Sequence, residues 1–188
     1  MLHLGPRHTL TACALGYVTQ AVVATLAPLL FITFGSSFGV TLEELSLLVF
    51  LSFAVQLIVD ALSPLLMRRL SLRALAVAAH LFCTVGFLLL AVLPGRMAPF
   101  TGIMIAVLLY AVGGGLLEVV MSPLIEACPV RRKTTLMNLL HSAYSWGQVI
   151  VVLLTTAFFA LVGIKWWRAA CLLWAILPAL NAVWFGLA

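Results

Sequence analysis

Glu118 is the residue in this chain best placed to do chemistry. It stands inside an apolar run from about Ala98 to Ala127, directly after Gly113, Gly114 and Gly115 and with Ser122 one turn beyond. A carboxylate near the middle of a membrane helix costs about 2.5 to 3.5 kcal/mol on insertion scales, so it must face protein or a water-filled cavity. Binding and releasing a proton is the simplest chemistry open to such an acid. The alternative is a permanently neutral acid donating a hydrogen bond to Asn138 or His141; His141 and His80 are the ionisable groups the sequence offers as neighbours. Because Gly114, Glu118 and Ser122 are four apart, they line one small-residue face with nothing bulky to block the acid.

Polar stripes on other apolar runs suggest what Glu118 faces. Thr134, Asn138, His141, Ser145, Gln148 and Thr155 follow helical steps on the run after it, with Tyr144 beside them. An earlier run carries Ser52, Gln56, Asp60 and Ser63, and the first carries Tyr17 and Gln20, with Ala24, Ala27 and Pro28 continuing that side. Such residues can be glue between membrane helices, but a long stripe on one face points to a cavity. The first, second, fourth and fifth runs are expected to line something wet, and the third and sixth to face lipid or give support.

The elements that must position these residues follow from composition. Of 188 residues, 65% are hydrophobic and 8% charged, against roughly 25% charged in an average soluble domain. That implies an all-α, polytopic membrane protein, because backbone groups in lipid must be satisfied within helices or closed barrels. The runs are too long for barrel strands of about 9 to 11 residues. Six spans are expected, at about 9–34, 42–67, 71–93, 98–127, 134–162 and 165–188, forming a single six-helix bundle. The turn GSSFGV closes the first, and Thr41 with Glu44 forms a capping box before the second. Cys13, Cys83, Cys128 and Cys171 lie in four different segments without ligand spacing, so no metal site, cofactor or disulfide framework is expected.

The net charge of +5 does not indicate nucleic acid, because the cations cluster in short loops. Arg7, Arg68, Arg69, Arg73, Arg131, Arg132 and Lys133 fall on one side; Arg96, Lys165 and Arg168 fall on the other. The richer side is expected to be cytoplasmic, with both termini there and the lipid bilayer of the plasma or inner membrane as the surroundings. Trp166 and Trp167 read as an anchor at the outer interface. ATLAPLL in the first run and VVMSPLI in the fourth are a faint internal echo, as two inverted three-helix repeats would leave.

The segment LLEVVMSPL, followed by basic residues and then LMNLLHSAYSWG, resembles the fucose permease branch of the major facilitator superfamily, and the whole chain resembles the amino-terminal six-helix half of such a transporter. The resemblance implies alternating-access transport of a small polar solute such as a sugar, with a proton as coupling ion. Glu118 matches the family's coupling acid and Tyr144 its sugar-contacting position. The solute would meet Tyr17, Gln20, Gln56, Asn138, His141, Tyr144, Ser145 and Gln148. The family's cytoplasmic gate falls on Arg68, Arg69 and Arg73, with Met67 and Leu70 at its usual acid and glycine, so Asp60 is expected to stand in for the acid. The first run has no acid, and Ala24 lies nearest the place where the family has one. A twelve-helix transporter would need a second six-helix half or a homodimer partner. The competing reading is a non-transporting scaffold, or the remnant of a truncated gene. An enzyme is not expected, since no serine motif accompanies His141 as an intramembrane hydrolase would need.

Cysteines introduced at Ser36 and Arg132 should label from opposite sides of the membrane in intact cells. Labelling of Arg132→Cys from outside would overturn the orientation.

Overall fold

The computed structural model describes residues 6–187. Those residues form seven α-helices and no strand: α1 Pro6–Leu29, α2 Phe31–Phe38, α3 Leu42–Arg69, α4 Leu72–Val92, α5 Pro99–Ala127, α6 Lys133–Val162 and α7 Trp167–Leu187. Single 3-10 turns at Leu93–Gly95 and Ile164–Trp166 lead out of α4 and into α7. All but α2 are long and apolar enough to cross a membrane, giving six candidate spans. Residues 1–5 and Ala188 lie outside the described residues, and with them the two chain ends whose side was expected.

The first span ends differently from the expectation. Pro28 has no amide hydrogen to give to Ala24 O, and the chain tightens at once, with Leu30 N donating to Ala27 O at 2.9 Å. A new helix, α2, then carries Gly35, Ser36 and Ser37, residues the sequence suggested as a turn. The stop falls instead at Gly39, whose φ of 67° is a left-handed cap open to glycine at little cost. The capping box of α3 is present: Thr41 N donates to Glu44 Oε2 at 2.8 Å, and Glu44 N donates to Thr41 Oγ1 at 3.2 Å.

The bundle is built around α5, which packs against α4, α3 and α1. Lipid supplies no hydrophobic force between helices, so close contact between small residues must hold them together. Three consecutive glycines supply it on three sides. A Cβ on Gly113 would lie 2.6 Å from Ala79 O of α4, one on Gly114 2.7 Å from Val23 Cγ1 of α1, and one on Gly115 3.0 Å from Val59 Cβ of α3. On the far side of α1, Gly147 brings α6 close, a Cβ there lying 3.1 Å from Ala21 Cβ. Thus α6 leans on α1 and α3 on α5, while α4 and α7 pack together behind. Of the two roles expected for the third span, α4 takes support, being half buried, whereas α3 and α6 are the least buried spans.

Polar contacts pin the back of the bundle. His80 is fully buried, its Nδ1 donating to Ala76 O at 2.7 Å and its Nε2 accepting from Asn181 Nδ2 at 2.8 Å. The same Asn181 amide donates to Ala12 O at 3.0 Å, so α1, α4 and α7 meet at one side chain. At the end of the bundle holding α2, Trp167 is buried edge-on against Phe34 and Phe38, and Arg168 stacks on it. Trp167 is therefore a packing residue and not part of an interfacial anchor; Trp166 beside it is exposed. The opposite end brings His8 to Trp184 and Lys133 Nζ to Glu126 O.

Gly113→Ala should lower the thermal midpoint in detergent, at a cost of about 1 to 3 kcal/mol, because backbone of α4 stands in the way. Gly186→Ala, which meets nothing within 4 Å, should not. Equal midpoints for the two variants would refute the close-packed axis.

Candidate functional site

The antiparallel seam between α1 and α5 sets the site. Val23 covers Gly114, Gln20 Nε2 donates to Glu118 Oε2 at 3.3 Å, and Tyr17 OH shares a hydrogen bond of 3.4 Å with Ser122 Oγ. Steps of three along α1 thus meet steps of four along α5, as helical periodicity allows. Because Gly114 lets α1 come close, Glu118 is held at the seam's edge and opens into a cavity of about 630 Å³.

That cavity is lined from α1, α2, α3, α5 and α6, with no residue of α4 or α7. From α1 come Tyr17, Gln20, Ala24, Ala27 and Pro28, and Phe31 of α2 follows them. The α3 wall includes Ser52, Phe53, Gln56 and Asp60; Glu118 and Tyr110 represent α5. His141, Tyr144 and Gln148 close it from α6. Gln148 Nε2 donates to Tyr144 OH at 3.0 Å, Gln56 Nε2 donates to the backbone Ser52 O at 3.4 Å, and the His141 ring lies 5.2 Å from that of Tyr17.

Two residues expected at the solute fall elsewhere. Asn138 and Ser145 are exposed and do not line the cavity. At about 100° per residue, His141, Tyr144 and Gln148 fall within about 60° of each other, whereas Asn138 and Ser145 lie on the flank away from Tyr144. Thr155 of the same stripe accepts a hydrogen bond from Trp174 Nε1 of α7 at 2.9 Å and acts as interhelical glue.

The expected gate is also divided. Asp60 lines the cavity, and its Oδ1 is buried without a hydrogen-bond partner. Arg68 and Arg69 close α3 and Arg73 lies in the first turn of α4, all exposed. Eight residues of helix, roughly 12 Å, separate Asp60 from Arg68. His80, expected near Glu118, is instead committed to Ala76 and Asn181 behind the bundle.

The sequence reading missed the apolar and aromatic lining, Phe31 and Phe53 included, and it missed Tyr110. That tyrosine is 1% exposed and its hydroxyl has no partner. A signal was present, since Tyr110, Gly114 and Glu118 share the same four-residue step. Among the described residues no group of three or more His, Cys, Asp or Glu could hold a metal ion. Compared with protein-family models, curated proteins and solved structures, the chain matches none.

The four cysteines are free and buried, and burial raises the Cys128 thiol pKa above its ordinary value, which slows background labelling. Cysteines placed at Gln20, Gln56 and Gln148 should react with a charged methanethiosulfonate reagent, and a cysteine at the exposed, outward Leu153 should not. Equal inertness at all four positions would mean that the cavity is not water-filled.

Proposed function

We propose that the chain is a six-helix half of a secondary transporter that moves a small polar solute by alternating access, with a proton as coupling ion. The observation that carries this reading is one cavity walled by four spans, with Glu118 opening into it from a small-residue seam. Membrane interiors rarely tolerate a carboxylate outside a pathway or relay. The resemblance to the fucose permease branch agrees with Glu118 as the coupling acid. Here the α1 group facing it is the amide of Gln20, so any charge change at the pair belongs to Glu118.

Crossed packing supports two inverted three-helix repeats: α6 lies on α1, and α3 lies on α5, as exchanging the first and second triplets of spans requires. In transporters of that design the site lies between repeats near the midplane. The least buried spans, α3 and α6, carry the open side of the cavity together with Asn138 and Ser145. A second six-helix half, or a second copy of the chain, would cover that side, and rocking of the two halves would expose the solute alternately.

Glu118→Gln tests the coupling role in proteoliposomes supplied with a panel of labelled sugars and amines. A coupling acid loses pH-driven uphill accumulation while solute exchange persists. Undiminished uphill accumulation in the Gln variant would remove Glu118 from the mechanism; loss of both activities in a variant that melts like the parent would make it a solute-binding residue.

A further inference from the structure

The cavity carries two carboxylates and no protein cation. Asp60 and Glu118 both line it, and among the described residues His141 is the only basic side chain that does. All ten Lys and Arg residues lie outside the lining, at or beyond the helix ends. Water can solvate the exposed Glu118, but Asp60 Oδ1 is buried and no described residue hydrogen-bonds to it. The ionised form of an acid left this way in a partly apolar chamber is costly until it takes a proton or a counter-charge arrives.

The remaining wall narrows the chemistry of that counter-charge. Tyr17, Phe31, Phe53 and Tyr144 bring four aromatic residues to one cavity. An aromatic face attracts a desolvated cation through the ring's quadrupole. Gln20, Gln56 and Gln148 each spend one amide hydrogen within the protein, so their remaining polar atoms serve a polar substituent while the acids and rings set the solute's charge. Among the acids, Asp60 keeps a buried oxygen without a partner. The volume of about 630 Å³ suits a molecule of drug-like size, for which sites span roughly 300 to 1,000 Å³, and far exceeds what a bare metal ion fills.

We infer that this cavity takes an organic monocation, an amine or quaternary ammonium with an apolar or aromatic body, held between Asp60 and Glu118 and against the aromatic wall. The inference rests on the transporter reading and gives its solute a chemical class. The carboxylates supply the attraction and the rings replace water around the cation.

The test uses the full chain in nanodiscs of zwitterionic lipid, with labelled tetraphenylphosphonium as probe and empty nanodiscs to subtract partitioning. Saturable binding is expected, displaced by benzyltrimethylammonium and not by neutral hexoses or sodium chloride. Asp60→Asn and Glu118→Gln should each weaken it by roughly tenfold or more, the loss of one charge-assisted contact, while melting as the parent does. Phe53→Leu, which leaves both acids in place, should weaken it less. Unchanged affinity in both acid variants would overturn the inference, and so would displacement by sodium as potent as that by benzyltrimethylammonium. Saturable binding of hexoses with none of either organic cation would overturn it while leaving a polar-solute transporter standing. Binding of neither class would remove the transporter reading as well.

Discussion

Everything in this bundle depends on how closely other helices can approach α5. With successive residues about 100° apart around a helix, three glycines in a row clear most of its circumference within a single turn. Gly113, Gly114 and Gly115 do this for α4, α1 and α3 respectively. A membrane helix cannot rely on expelled water to hold its neighbours, so contact distance is the main resource. Shortening it on three sides at one level fixes the register of the whole bundle there. Glu118 follows one turn later, where the approach of α1 has already been set.

That order explains why the acid can exist at all. Close packing at Gly114 brings Gln20 within hydrogen-bond reach and Tyr17 to Ser122, so the seam is stitched by polar groups on the cavity side. Behind α5, the interface with α4 is apolar, with Phe87 against Tyr110 and Gly86 admitting the Tyr110 backbone. One helix therefore has a dry back and a wet front.

Much of this was legible in the sequence because membrane constraints are blunt. Apolar length gave the six spans, and the four-residue steps through Glu118 and the stripe of Gln56 and Asp60 gave the walls that meet. Side-chain direction was less legible. A stripe read with helical periodicity is wide, and only packing decides which flank faces inward, which is why His141 and Gln148 line the cavity while Asn138 and Ser145 do not. Trp167 misled for a related reason: its place beside Lys165 and Arg168 resembles an interface, yet Phe34 and Phe38 lie across from it only because α2 extends the first span past Pro28. Tyr110 was hidden by its apolar neighbours. His80 looked like a partner for Glu118 because a sequence does not say which of two buried faces a histidine occupies.

The bridge from His80 to Asn181 and Ala12 also sets a timetable. Its two side chains are separated by 101 positions in the chain, and synthesis proceeds at about 5 to 20 residues per second, so α4 spends roughly 5 to 20 s in or near the membrane before its partner is made. During that interval the imidazole has no Asn181 to satisfy it and must borrow water, lipid headgroup or insertion machinery. Ala12 O waits longer still, for α7 is the last described helix to emerge. Final consolidation of this bundle is thus post-insertional, and the polar knot behind α5 is its closing event.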